Sequence, residues 1–174
     1  MPANIITPTI ITRLFPASKS NESNERNQRP SMQRTIAPSE GEMSLFKTVP
    51  PNVVQSIRAF RVDDLQAEAA RLGQHFLYAH CAHATTKQQV LATIAEAFQF
   101  PKHFGKNFDA LGDCLTDLVY KAGPQPGFLV VLEQLPNTPK FDKEGRETLL
   151  DVFRDAADFW ADKKVAFRVF YSFE

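Results

Sequence analysis

The sequence predicts a small α/β domain, with a mostly parallel three-stranded sheet packed with helices. Two observations carry this prediction. Three short apolar runs that suit β-strands occur at residues 75–81, 128–132 and 165–171. Stretches with the apolar spacing of amphipathic helices lie between these runs. Strands that alternate with helices form parallel sheets, because each crossover helix returns the chain to the end of the sheet where the previous strand began.

The first elements of the predicted fold are the least regular. Residues 50–60 show no clear pattern. Asp63 or Asp64 can cap a helix, which we expect to stop at Gly73 because glycine accepts the left-handed conformation that follows many helices. The first predicted strand, residues 75–81, comes directly afterwards.

The remaining helices have clear boundaries. Thr85 and Thr86, with Gln88 and Gln89 three residues later, form two possible capping-box pairs that start a helix, and Pro101 ends it. Asn107 can cap the next helix, and residues 142–161 form a long helix before the last strand. The side chains predicted to face the core are Phe108, Leu111, Leu115 and Leu118 on one helix and Leu149, Val152, Phe153, Ala156 and Trp160 on the other. The continuous apolar run at 128–132 predicts a strand buried on both faces.

Composition excludes several classes of protein. The 174 residues include Lys+Arg 20 and Asp+Glu 20, so the formal net charge is 0, which argues against a general nucleic-acid binder. No run of about 18 apolar residues occurs, so we expect no membrane-spanning helix. Cys81 and Cys114 are too few for a disulfide framework, and we expect a cytoplasmic protein in a reducing compartment.

The first 42 residues differ in composition from the rest. They are rich in Asn, Ser, Thr, Pro and Arg, and Phe15 is their only aromatic residue. Because such a stretch buries little apolar surface, we predict a disordered N-terminal extension over residues 1–42 and a folded domain over 43–174. Translation starting at Met43 is an alternative explanation of the same boundary.

The helix after Asn107 carries acids along one face. Asp109, Asp113 and Asp117 recur every four residues, and like charges at this spacing destabilise a helix by about 0.2–0.5 kcal/mol per pair. A cationic partner would relieve that cost, whereas a solvated helix face is the simpler interpretation. Gly112 lies within the same helix, where glycine costs about 1 kcal/mol relative to alanine. It marks either a close approach of a neighbour or a tolerated defect.

Enzymatic and metal-binding patterns are weak. His80, Cys81 and His83 have no second ligand cluster to complete a zinc site, and the sequence contains no nucleophile elbow or phosphate-binding loop. We therefore expect no cofactor and no metal site. Mg²⁺-dependent chemistry is an alternative for the three acids Asp109, Asp113 and Asp117. It would require a second set of oxygen ligands that converges on these carboxylates.

Residues 100–116 carry the most specific motif. Their sequence, FPKHFGKNFDALGDCLT, resembles the signature of the barstar (barnase inhibitor) family, which runs Pro, two residues, aromatic-Gly-x-Asn-aromatic/Leu-Asp-Ala-Leu-x-Asp-x-Leu. The resemblance extends over residues 75–173. It implies a barstar-like fold and an intracellular inhibitor, itself no enzyme, that plugs the active site of a secreted ribonuclease.

The resemblance also implies roles for individual residues. Asp113 would enter the phosphate-binding site of the nuclease, Asp109 would face neighbouring basic groups, and Asp155 matches an acid on the long helix that meets the enzyme. His103 stands at an aromatic position of the family and Gly112 at a tryptophan position, so the contact surface differs from that of barstar. The predicted partner-binding residues are His103, Phe104, Gly105, Asn107, Asp109, Gly112, Asp113, Asp117 and Asp155.

Three functions stay open at this point. The first is inhibition of a ribonuclease through the acidic helix face, with no direct binding of nucleic acid or membrane. The second is a non-inhibitory module that binds another basic protein. The third is a Mg²⁺-dependent enzyme that uses the three aspartates of the helix.

Overall fold

A computed structural model describes residues 44–119 and 123–174. The expected disorder of residues 1–42 and the alternative start at Met43 lie outside these ranges. The strands are β1 (Asn52–Ser56), β2 (His75–His80), β3 (Gly127–Leu135) and β4 (Ala166–Phe173). The helices are α1 (Val62–Arg71), α2 (Lys87–Ala97), α3 (Phe108–Thr116) and α4 (Lys143–Asp162).

The sheet contains four parallel strands in the order β1-β4-β3-β2. The prediction of an α/β fold with a parallel sheet is confirmed, but the predicted number of three strands is wrong. The additional strand is β1, which lies in the segment without a clear pattern. β1 has five residues, all half-buried, and it pairs only with β4. Its sequence, NVVQS, does not alternate between apolar and polar residues. Every residue of the strand is half-buried, so neither face of the strand is marked as apolar in the sequence.

The helices lie on both faces of the sheet. α1 packs on one face, and α2, α3 and α4 pack on the other. The chain crosses from one edge of the sheet to the other between β1 and β2, then returns strand by strand through β3 to β4. Because crossovers are right-handed, opposite directions of travel place the helices on opposite faces. The α2–α4 face carries the acidic helix identified in the sequence.

β3 forms the centre of the core. Residues 128–132 are fully buried, as the apolar run predicts. Alternate residues of this strand contact the two helical layers, because successive side chains point to opposite faces. The buried residues of the α2–α4 layer include Val90, Leu91, Ile94, Leu111, Leu115, Leu149, Phe153 and Trp160. The opposite layer contains Phe46, Val49, Leu65, Ala69, Leu129, Val131 and Phe170.

The helix ends follow local chemistry, with one exception. Thr86 caps α2 by accepting from the Gln89 N–H, as predicted. Gly73 ends α1 with a φ of +65°, and the Gln74 N–H donates to the Ala69 carbonyl at 2.8 Å, which closes the last turn. The predicted cap of α1 by an aspartate is wrong. The capping position is Arg61, whose side chain makes no capping bond, and both aspartates lie in the first turn, where the helix dipole favours them.

No described helix is long and apolar enough to cross a membrane.

Candidate partner-binding surface

The loop between α2 and α3 is anchored by aromatic packing. Phe104 is half-buried, and its ring lies 5.3 Å from the ring of Phe100, which in turn contacts Phe98 at 5.8 Å. The Phe104 N–H donates to the Pro101 carbonyl at 2.9 Å. The loop therefore has a defined conformation, which leaves His103 exposed beside the start of α3.

Asn107 caps α3, as predicted. Its Oδ1 accepts from the Ala110 N–H at 2.7 Å, and its Nδ2 donates to the Gly105 carbonyl at 3.2 Å. A Cβ at Gly105 would stand 3.1 Å from that Nδ2, so a side chain there would crowd the cap. Lys106 adopts a φ of 42°, which reverses the chain between the two residues. The glycine and the asparagine thus fix the direction in which α3 leaves the loop.

The inner face of α3 fixes the helix to the core. Leu111 and Leu115 are fully buried, and Leu118 beyond the helix is buried as well. The Trp160 Nε1–H on α4 donates to the Leu115 carbonyl at 3.0 Å within the core. Apolar packing and this hydrogen bond hold α3 against α4, and the opposite side of α3 faces outward.

The outer side of α3 carries Asp109, Asp113 and Asp117, which we call the acidic row. All three residues are exposed. Asp109 lies in the first turn, where the helix dipole stabilises a negative charge. α3 ends one residue before Asp117, which makes Asp117 the C-cap residue, at the end where the dipole disfavours an acid. The acidic row is therefore least stable at its C-terminal end.

No ion pair among the described residues involves the acidic row, whose carboxylates are free to meet a partner. The described ion pairs are Arg71–Glu68, Lys143–Glu147 and Arg154–Asp151. The nearest cations in sequence are the exposed Lys102 and Lys106 of the loop. The carboxylates of the acidic row thus form no ion pair with described residues, although the neighbouring loop carries two lysines.

A cavity of about 430 Å³ adjoins the acidic row. Asp113 and Asp117 line it together with His103 of the loop. Its remaining walls are mainly apolar and aromatic, with contributions from β2 and from the end of α2. They are formed by His75, Phe76, Leu77, Ala97, Phe98, Gln99, Phe100, Pro101, Cys114 and Leu118. No sequence pattern predicts this cavity, because its walls come from three segments that are separate in the chain.

The other predicted residues lie around this centre. A Cβ at Gly112 would stand 3.7 Å from Val152 Cγ1 of α4, which is an ordinary contact. An alanine therefore fits there, and close helix approach does not require the glycine. Asp155 is exposed one turn after Val152, on the part of α4 that borders α3. Loop, α3 and α4 thus contribute to one side of the molecule.

The histidines and the cysteine that could ligate a metal do not converge on one point. His80 Nε2 lies 2.8 Å from Gln134 Oε1, and Cys81 is fully buried, where desolvation raises the pKa of its thiol to about 11. Across residues 44–119 and 123–174, no three His, Cys, Asp or Glu side chains are grouped as metal ligands would be. The acidic row extends along a helix, and no second ligand set faces it within those ranges.

The fold and the surface define a class of protein, namely a small α/β protein with an acidic helix face held rigidly on a parallel sheet. A family model described as Barstar (barnase inhibitor) matches residues 74–172, more than half of the chain. The chain belongs to the barstar family. The match begins at Gln74, immediately before β2, and ends within β4, so β1 and α1 lie upstream of the matched region.

Proposed function

We propose that this protein inhibits a ribonuclease by covering the cationic active site of the enzyme with the acidic row and the adjoining loop. The observation that carries the proposal is the exposed, unpaired position of Asp113 at the centre of this surface. Membership of the barstar family supports it, because the family is named for inhibition of a nuclease. In this role the chain is a binding protein and performs no catalysis.

The chemistry of ribonucleases supports charge pairing with this surface. An enzyme that cleaves a phosphodiester needs cationic groups to stabilise the charge that develops on the phosphorus oxygens. A carboxylate at the position of Asp113 would occupy the place of the substrate phosphate. Complementary potentials also accelerate the encounter between the two proteins. The partner is therefore a basic protein, and secreted-type ribonucleases are the class that fits the family.

The rigidity of the surface supports tight binding. The N-cap of Asn107, the buried face of α3 and the Trp160 hydrogen bond hold the acidic row before any partner arrives. Preorganised groups lose little conformational entropy when they bind. We further propose that the protein acts in the cytoplasm, where Cys81 and Cys114, which form no disulfide in the structure, stay reduced.

The proposal is tested with a panel of small basic ribonucleases, barnase among them. We expect at least one to lose activity upon stoichiometric addition of the protein. Asp113→Ala should then raise Kd about 30-fold or more, because truncating one partner of a buried charge pair costs about 2–5 kcal/mol. Asp158→Ala is the matched control, since it removes the same charge from an exposed position on α4. Kd is measured by titrating nuclease activity and by calorimetry.

The outcomes separate the candidate functions. Equal effects of Asp113→Ala and Asp158→Ala on Kd would reject the proposed surface. Binding of a basic protein without loss of nuclease activity would favour the non-inhibitory module instead. Chemical-shift changes confined to Asp109, Asp113 and Asp117 upon Mg²⁺ titration, with no effect of any ribonuclease, would favour the enzyme.

A further inference from the structure

One edge of the sheet has free hydrogen-bonding groups. β2 is the edge strand and pairs only with β3. The Cys81 N–H donates to the Glu133 carbonyl at 2.8 Å, so the odd-numbered residues of this segment direct their backbone groups towards β3. The N–H and C=O groups of Phe76, Tyr78 and His80 therefore point outward. No described residue forms a backbone hydrogen bond with them.

The layers on either side of the sheet leave this edge accessible. On the α2–α4 face, the cavity of about 430 Å³ runs along residues 75–77. On the α1 face, a second hollow of about 580 Å³ lies over Phe76 and Tyr78, and it is bounded by residues 61–63 and Glu133. A further strand can therefore approach β2 without displacing a helix.

β2 also lacks the features that normally protect an edge strand. Its sequence, HFLYAH, contains no Lys, Arg, Asp, Glu or Pro. Natural edge strands usually carry such residues or a bulge to prevent pairing with other chains. β1, at the opposite edge, is shorter and directly follows Pro50-Pro51. The unprotected edge of this sheet is therefore β2.

The side chains along the edge form a flat row. The rings of Phe76 and Tyr78 are stacked with centroids 6.3 Å apart, and those of Tyr78 and His80 are stacked at 6.4 Å, both with interplanar angles of 8°. Tyr78 is 36% exposed although it is aromatic, and its hydroxyl donates to the Glu133 carboxylate. That contact orients the ring. The row offers an apolar surface beside the free backbone groups.

We propose that β2 pairs in antiparallel fashion with β2 of a second copy of this chain, which joins two sheets into one. A two-fold axis through the middle of the three outward residues places Tyr78 opposite its own symmetry mate and Phe76 opposite His80. This register gives a hydrogen-bond partner to every outward N–H and C=O group of both strands, and it extends the row of aromatic rings across the axis.

A second copy fits better than a charged partner, because β2 has no charged residue to pair and the formal net charge of 0 gives no repulsion between copies. This pairing of two copies is a property separate from nuclease inhibition.

Disulfide trapping tests the register directly. Residues paired in this way have Cα atoms about 5.5 Å apart, which suits a disulfide. In a Cys114→Ser background, Tyr78→Cys should form a covalent dimer under mild oxidation. Ser56→Cys is the matched control at the β1 edge and should form no covalent dimer, because Ser56 lies outside the proposed β2 pairing. Equal cross-linking of the two variants, or none in either, would overturn the proposal.

A second variant tests the backbone contribution. The wild-type protein should sediment as a concentration-dependent dimer. Tyr78→Pro removes an outward N–H together with the tyrosine ring and its hydroxyl bond to Glu133, but it breaks no backbone hydrogen bond to β3. It should yield a monomer with an unchanged circular dichroism spectrum, whereas Ser56→Pro removes an outward N–H at the opposite edge and should stay dimeric. A monomeric wild-type protein at every concentration overturns the proposal. The ribonuclease titrations with Asp113→Ala are read separately, so failure of one proposal leaves the other intact.

Discussion

Among single residues, Glu68 of α1 is the most heavily bonded acid of the described chain. Its carboxylate accepts from Arg71 Nε at 2.8 Å and Arg71 Nη2 at 2.7 Å, from the Ser44 hydroxyl at 2.7 Å and from the Leu45 N–H at 3.2 Å. The hydrogen bonds from Arg71 are the main reason why the pKa of Glu68 is lowered to about 2, and the Ser44 hydroxyl contributes. This carboxylate ties the segment before β1 to α1.

This contact predicts a loss of stability in acid. The folded pKa of about 2 lies below the ordinary 4.5, so the stabilisation is fully present above about pH 4.5 and is lost as the pH falls towards 2. Glu68→Gln should lower the free energy of unfolding at pH 7 by about 1–2 kcal/mol and flatten its decline below pH 4.5. Urea titrations at several pH values measure both effects. Glu96→Gln, at an exposed site on α2, is the control, and an equal effect of the two variants would contradict the assignment.

Arg168 of β4 shows how one buried cation anchors the same segment. It is 8% exposed, donates from Nε to the Pro50 carbonyl at 3.0 Å, and lies 4.5 Å from the centre of the Phe46 ring. Burial lowers the pKa of its guanidinium, and the charge of Glu68 opposes that change. The upstream segment is therefore held by polar contacts from two elements.

At the scale of elements, α3 depends on contacts at both of its ends. Asn107 holds the first turn, and the Trp160 indole holds the last turn through the Leu115 carbonyl. A nine-residue helix is too short to be stable alone in water, so these contacts and the buried leucines determine its position. The acidic row is rigid only because α3 is held in this way.

The capping residue provides a test at this scale. Asn107→Ala should lower the free energy of unfolding by about 0.5–2 kcal/mol, because the Ala110 N–H loses its acceptor. Asn107→Asp keeps an acceptor at the same place and should retain most of the stability. Thermal unfolding followed by circular dichroism measures the difference. Equal stability of the alanine and aspartate variants would show that the cap does not stabilise α3.

For the whole molecule, the acidic row lies on an otherwise balanced protein. The formal net charge is 0, so attraction towards a basic partner comes from the local surface and not from the total charge. Local attraction between exposed charges is screened at distances beyond about 8 Å at physiological ionic strength. Added salt therefore weakens the approach of a partner more than it weakens the docked complex, in which paired charges are close together and partly buried.

Salt dependence follows from this distribution. Raising the ionic strength should slow association with the ribonuclease and change dissociation little. Stopped-flow measurements of both rate constants in increasing NaCl would show this, and Asp113→Ala should reduce the slope of the association rate. Dissociation that accelerates with salt as strongly as association slows would contradict this prediction.

The local features of the fold could be predicted from sequence. The strand at 128–132, the cap at Asn107 and the stop at Gly73 depend on residues within a few positions of one another. Propensity and periodicity describe such short-range contacts. The misplaced cap of α1 arose because an aspartate suits both the capping position and the first turn, and Asp63 and Asp64 follow the actual cap by only two and three residues.

The sequence by itself determined the α/β class, the helix that carries the acidic row, and the resemblance that leads to the barstar family. Only the tertiary structure decided that β1 joins β4 as a fourth strand, that Asp113 and Asp117 share a cavity with His103, and that β2 leaves an open edge. Strand pairing and cavity walls bring together residues far apart in the chain. No local pattern encodes such contacts, since they depend on how all the elements pack at once.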